Sequence, residues 1–234
     1  MHLRIGLVTS PIEEAGITPI SEYLSVLSQL TDLHVITGNS AKVLSERNGS
    51  RSNIHFHFVN YPREPSIFLK IIHYMYGQLK FSYHIIRGSR NTDKWIFFIG
   101  GELMILPIIV AHFVKKPVFL YMPGSFTSAV RFSKEPLLKP AEILSTMVRS
   151  SVDRIILYSP NLISEWNLVK YRHKILIAHR HFLDFNTFTV TTSLSTRPPL
   201  IGYIGRLSGE KGVQHFAQAL PAILSDRQDL TALI

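Results

Sequence analysis

Short apolar runs, each closed by a turn residue and followed by a stretch with helical spacing, recur along most of this chain. Residues 3–8 form the first run and end in Thr9, Ser10 and Pro11. A helix predicted over about 19–30 would bury Ile20, Tyr23, Leu24, Leu27 and Leu30, and residues 33–37 form a second run. Residues 95–99, 118–121, 153–158 and 174–178 repeat the pattern. Runs that are apolar at nearly every position fit strands covered on both faces, which is the habit of parallel sheets. Strands alternating with amphipathic helices then imply an α/β domain with helices on both faces of the sheet.

Three segments depart from that rhythm. Residues 54–59 alternate His55 and His57 with Phe56 and Phe58, the mark of a half-buried strand. Two histidines on one strand face can ligate a metal, but no Asp, Glu or Cys lies close in sequence to complete the shell, and a solvated face is the simpler reading. Across 66–90, Lys70, His73, Lys80, His84 and Arg87 recur every three or four residues in register with Gly77, forming a basic stripe. Ile67, Phe68, Ile71, Ile72, Met75 and Leu79 occupy much of the remaining surface. Such a helix can lie in a lipid headgroup layer, or it can be a core helix with a solvated edge. Residues 95–114 are long enough to span a bilayer. Gly100-Gly101, Glu102, Pro107 and His112 break them into a strand, a glycine turn and a helix over about 102–114. Ligands of open parallel sheets bind beyond the carboxyl ends of the strands, so Gly16, Glu102, Gly124 and Ser125 are cleft-lining candidates. A helix is predicted over about 136–150, and another beginning at Ser159-Pro160 and ending near Leu168.

Lys and Arg number 25 against 16 Asp and Glu, a formal net charge of +9, with eleven histidines besides. That excess selects a polyanionic partner: nucleic acid, an anionic membrane surface or a phosphorylated small molecule. No recognition helix or base-stacking platform supports nucleic acid. The chain has no cysteine, which excludes disulfides and thiolate metal sites and suits a reducing compartment.

The most specific chemistry lies at 198–224, where a strand over 200–204 runs into Gly205, Arg206, a polar turn, Lys211 and Gly212. An amphipathic helix follows, with Val213, Phe216, Ala217, Leu220 and Leu224 at helical spacing. A strand, a glycine turn and a helix start make a ready anion site, because the first-turn N–H groups have no intrahelical partners. Arg206 and Lys211 bracket the turn closely enough to clamp one diphosphate, although two solvated charges on an ordinary loop would read the same way. The segment is neither a Walker loop nor a dinucleotide fingerprint, for its glycine spacing fits neither.

GRLSGEKGV, residues 205–213, resembles the donor-binding signature of family 4 glycosyltransferases, whose GT-B fold sets two Rossmann-like domains face to face. The resemblance implies that Arg206 and Lys211 hold the diphosphate of a nucleotide sugar while Gly205 and Gly212 let the backbone approach. It implies a Rossmann-like acceptor-side domain over 1–188, a Thr- and Ser-rich linker over 189–199, and the start of a donor-binding domain over 200–234. The family's paired glutamates, which contact the donor sugar, have no counterpart within the sequence. Catalytic residues are therefore unassigned, and an incomplete, inactive chain is expected. Only Gly16 remains of the family's glycine-rich first loop. Pro123 stands where many members have a histidine, and Arg180-His181 replaces an Asn-Gly before Asp184 and Phe188. The activity implied is retaining, metal-independent transfer from a nucleotide sugar, as substrate and with no cofactor, to a lipid-linked or glycan acceptor. Its place would be cytoplasmic, peripheral on the inner face of the cell membrane. The competing class is a non-catalytic basic module that binds anionic lipid or nucleic acid.

Overall fold

Seven of the apolar and half-apolar runs become the strands of one sheet: β1 (Arg4–Val8), β2 (Asp32–Thr37), β3 (Ile54–Phe58), β4 (Lys94–Phe97), β5 (Val118–Tyr121), β6 (Arg154–Leu157) and β7 (Ile175–Ile177). This computed structural model describes residues 3–48, 52–60, 66–125, 138–179, 189–205, 207 and 209–233. Every pairing in the sheet is parallel, and the strand order is β3-β2-β1-β4-β5-β6-β7. The order reverses between β1 and β4, so the connections after those two strands diverge and leave a crevice at their carboxyl ends.

Register decides which side chains meet. Gly6 lies opposite Trp95, and a Cβ at Gly6 would come within 2.1 Å of the Trp95 ring. The absence of a side chain there lets the fully buried indole cross β1. On this face Val8, Ile36, Trp95 and Phe97 pack with Phe81 and Ile85 of α3 (Ile67–Gly88), Ile108 of α4 (Ile105–Phe113) and Val148 of α5 (Leu138–Ser151). On the other face Leu7, Leu33 and Val35 pack with Ile20 and Leu24 of α1 (Glu14–Leu27) and Leu44 of α2 (Lys42–Asn48). An α/β fold with helices on both faces of a parallel sheet is therefore what the alternating runs produce.

Element ends shift for local reasons. The first helix starts at Glu14, not near 19, and contains Pro19. Beginning early adds Ile17 to the buried face, which offsets the one ladder bond a proline removes. It stops at Leu27, so Leu30 stands 71 % exposed, outside the core expected of it. After β4 a short 3₁₀ turn (Gly101–Leu103) precedes α4. After β6 only one helical turn, α6 (Leu162–Glu165), forms. Its flanking residue Asn161 makes no side-chain cap bond, whereas Ser159 Oγ accepts from the Asn161 N–H at 3.4 Å, and a 3₁₀ segment (Val169–Lys174) follows. There Lys174 donates from Nζ to the carbonyls of Ser150 (2.9 Å) and Val152 (2.8 Å), closing the carboxyl end of α5.

The chain divides into two compact units, the first ending at His179 and the second containing the described residues 189–233. In the second, β8 (Leu200–Gly202) pairs in parallel with β9 (Thr231–Leu233) across α7 (Val213–Asp226), a complete βαβ unit. Residues 126–135 and 180–188 lie outside the described residues, as do the first two positions of the helix expected over 136–150.

Candidate functional site

At the reversal of strand order the chain beyond β1 meets the chain beyond β4. Ser10 donates its backbone N–H (2.9 Å) and its hydroxyl (3.2 Å) to the Ile99 carbonyl. Gly100 then turns through the left-handed region, with φ +76. A Cβ on Gly100 would lie 2.2 Å from Ser10 Oγ, so only glycine lets the two strand ends sit this close. A cavity of about 300 Å³ opens here between Ser10, Gly100 and Leu103 on one side and Tyr74, Gln78 and Phe81 of α3 on the other.

The polar groups on its wall are engaged with backbone. Tyr74 Oη donates to the Leu103 carbonyl at 2.7 Å. Gln78 donates from Nε2 to the same carbonyl (3.1 Å) and accepts from the Leu106 N–H (3.1 Å), serving the start of α4. What faces the cavity is consequently mostly carbon, a lining suited to an apolar group. None of these side chains was singled out by the sequence; the one signal was Gly100-Gly101 at a strand end.

Each residue expected to line the cleft has its own local surroundings. Glu102 is 6 % exposed, and its Oε1 accepts from Ser145 Oγ (2.8 Å) and from Arg149 Nε (3.0 Å) and Nη2 (2.7 Å). That carboxylate ties the turn after β4 to α5. Gly16 lies in the first turn of α1, where a Cβ would touch Ile12 at 3.2 Å. Gly124 is exposed with open space at its Cβ position, and Ser125 beside it is half-buried.

A second polar site gathers at the opposite, amino-terminal end of the strands. His34 on β2 is in register with His55 on β3, with ring centroids 5.1 Å apart. His57 stacks on His34 at 6.3 Å and on His84 of α3 at 5.1 Å. Arg4, Asp32 and Asn91 join three of these rings around a cavity of about 400 Å³. Burial holds His34, His57 and His84 below the usual imidazole range. The neighbouring imidazoles add to this, with Arg4 acting on His34, Arg87 on His57, and Lys80 and Arg87 on His84. Among the described residues no three His, Cys, Asp or Glu are placed to hold a metal ion. The partners of His55 and His57 come from β2 and α3, too far off in sequence to be seen beside them.

In the second unit the strand–glycine–lysine–glycine–helix order is realised. A 3₁₀ turn (Gly209–Lys211) leads to Gly212, which caps α7 at φ +70. Lys211 is exposed immediately before the cap, and Gly205 is exposed after β8. Arg206 lies outside the described residues. Gln214 donates from Nε2 to the Gly209 carbonyl at 3.3 Å, bracing the turn against the first turn of α7.

The basic stripe of α3 is split. Lys70, Lys80 and Arg87 are exposed, whereas His73 and His84 are half-buried, and His84 is turned toward the sheet against His57. The larger departure is in the apolar residues. The sheet-facing positions are Gly77, Gln78, Phe81, Ser82, Ile85 and Gly88, while Phe68 (71 % exposed), Met75 (52 %), Leu79 (61 %) and Ile86 (52 %) point outward.

No protein-family model matches the chain, and no curated protein matches it at a significant level. Solved structures match its fold. A UDP-N-acetylglucosamine 2-epimerase aligns over 99% of this chain and 63% of its own, with TM-score 0.57 and 10% identity. HepE from Anabaena, in complex with UDP and glucose, aligns over 100% and 61%, with TM-score 0.60 and 13% identity. A UGT of Arabidopsis thaliana complexed with UDP-L-rhamnose aligns over 100% and 69%, with TM-score 0.62 and 14% identity. The chain thus spans 63% and 61% of the first two. What these likenesses show is the fold: a parallel sheet flanked by helices, as in the Rossmann-like domains of GT-B proteins.

Proposed function

We propose that the chain is part of a nucleotide-sugar-dependent glycosyltransferase, contributing the acceptor-side Rossmann-like domain and the diphosphate-binding opening of the donor-side domain. The observation that carries this reading is the exposed Lys211 beside the left-handed Gly212 cap of α7, on a chain whose fold neighbours include proteins in complex with UDP and UDP-sugars. An ammonium beside a helix amino terminus offers a point charge and first-turn N–H groups to the same phosphate. Arg206, by resemblance, supplies the bidentate second cation. In transfer the departing nucleoside diphosphate gains negative charge, and these fixed cations stabilise it, in keeping with retaining, metal-independent family 4 chemistry. The acceptor group enters the crevice between Ser10, Gly100 and α3. Its carbon-rich wall favours an acceptor with an apolar portion, a lipid-linked one before a free glycan.

The test is calorimetric titration of the chain with UDP and UDP-glucose. We expect saturable binding that Lys211→Ala weakens by about 2–4 kcal/mol, the scale for one charge-assisted phosphate contact. Equal affinity of Lys211→Ala and wild type, or no binding of either nucleotide, overturns the assignment.

A further inference from the structure

We propose that the cavity at the amino-terminal end of the strands binds a tetrahedral oxyanion, a phosphate or sulfate group, between Arg4 and the row of imidazoles. The site lies at the opposite end of the sheet from the crevice, and the proposal stands independently of nucleotide-sugar binding. Four histidines meet there for reasons of register and packing. His34 on β2 is set against His55 and beside His57 on β3, and α3 brings His84 onto His57 with ring centroids 5.1 Å apart. Arg4, Asp32, His34, His55, His57 and Asn91 enclose about 400 Å³, room for a small ion and the group that carries it. Arg4 donates its backbone N–H (2.9 Å) and Nη2 (3.2 Å) to Asp93, which steadies the guanidinium and leaves its other N–H groups for a ligand. His34 Nδ1 is shut off from solvent and has no hydrogen-bond partner among the described residues. The polar capacity of the row is therefore not spent within the fold.

The surrounding charge selects the sign of the ligand. Arg4 comes from β1, Asp32 from β2, and Lys80 and Arg87 from α3, while Asp93, just before β4, is paired with Arg4. At His34 the repulsion from Arg4 exceeds the attraction of Asp32. At His57 and His84 the neighbours that act are His55, Lys80, Arg87 and one another. A cation is therefore unwelcome in the row. Ring geometry agrees, because the lone pair of an imidazole lies in the ring plane. His57 and His84, stacked at an interplanar angle of 29°, cannot both aim at one ion, and no three donors are placed to hold a metal among the described residues. An oxyanion reverses the balance. Burial and like charge keep these rings neutral, and a dianion within reach supplies the missing countercharge. The protonated rings then donate from both nitrogens, alongside the Arg4 guanidinium, to its oxygens. Binding and proton uptake become one linked event that acid favours. Asn91, in the 3₁₀ turn after α3 (Ser89–Asn91), adds an amide to the rim.

Calorimetric titration of the full chain with sodium sulfate, a dianion across the whole range, at pH 6 and pH 8 and constant ionic strength tests this. Saturable binding is expected at pH 6 and should be about tenfold weaker at pH 8. Protons should be taken up on binding, as read from two buffers of different ionisation enthalpy. Arg4→Gln should weaken binding about tenfold at both pH values. His57→Gln should weaken it at pH 6 and flatten the pH dependence. Circular dichroism checks that both variants fold, and sulfate-induced shifts of the cluster's imidazole NMR signals in wild type give a reading that needs no variant. Inorganic phosphate and glycerol 3-phosphate form two further arms: tighter binding of the ester assigns an esterified ligand, and tighter binding of the inorganic ion a free one. Lys211→Ala should leave sulfate binding unchanged while weakening that of UDP, so the two sites can fail separately. No saturable binding at pH 6, equal affinity at pH 6 and pH 8, or wild-type affinity in both cluster variants overturns the proposal. So does loss of sulfate binding in Lys211→Ala, which would place the anion at α7.

Discussion

The imidazoles of His57 and His84 stack with centroids 5.1 Å apart and an interplanar angle of 29°, joining the edge strand β3 to the carboxyl-terminal half of α3. On this side of the sheet the crossover from β3 to β4 carries α3 inward over the β1–β4 region, and imidazoles fill the space left beside β2 and β3. A neutral imidazole packs there as a flat, half-apolar plate, whereas a protonated one repels its neighbours.

A pH dependence of stability follows from that contact. His34, His57 and His84 have folded pKa values below the ordinary imidazole value of 6.5, chiefly through burial. On acidification the unfolded chain takes up these protons first. Their contribution is therefore complete above pH 6.5 and is lost as pH falls from there toward the lower folded values. Urea unfolding midpoints should drop between pH 7 and pH 5, and His57→Phe should flatten that drop by removing one titrating ring and relieving its two neighbours. Identical pH profiles for the variant and wild type would show that the cluster does not couple to folding.

Arg149 and Glu102 form a buried ion pair, with side-chain exposures of 10% and 7%. Arg149→Met should destabilise the chain by about 3–5 kcal/mol, because it strands a carboxylate in the interior. Glu102→Leu combined with Arg149→Met should recover most of that loss. Equilibrium denaturation of the three variants decides it, and a mild single-variant effect would mean that water reaches Glu102.

Gly100→Ala meets two obstacles, a φ of +76 and a Cβ position 2.2 Å from Ser10 Oγ. The backbone conformation alone should cost about 1–3 kcal/mol. Adding Ser10→Gly removes the contact but not the dihedral, so the double variant should regain only part of the lost stability in thermal melts. Full recovery would show that crowding, not backbone conformation, requires the glycine.

Much of the sheet was legible in the sequence. Residues 3–8, 33–37, 95–99 and 118–121 are apolar on both strand faces, and that pattern has few other outcomes in an α/β chain. The glycine–lysine–glycine turn before α7 could be placed from its flanking strand and helix. The crevice was not legible. It is built from Ser10, Gly100, Leu103 and the α3 residues Tyr74, Gln78 and Phe81, which the chain's path through the sheet brings together. The partners of His55 and His57 were hidden for the same reason, since register sets His34 beside His55.

The orientation of α3 divides what local pattern encodes from what packing decides. Its sequence established a helix, a row of cations and an abundance of apolar side chains, but apolar residues lie on more than one side and hydrophobicity could not choose the inward face. Close approach chose it. A Cβ at Gly88 would stand 3.3 Å from the Trp95 ring, so a larger residue there would press on the indole that itself fills the space over Gly6. Gln78 must face inward to satisfy the Leu106 N–H and the Leu103 carbonyl at the start of α4. With those positions fixed by shape and by hydrogen bonding, 3.6 residues per turn carries Phe68, Ile72, Met75, Leu79 and Ile86 to the outside. Sequence periodicity records which residues avoid water, whereas the tertiary structure also obeys how near two backbones must come.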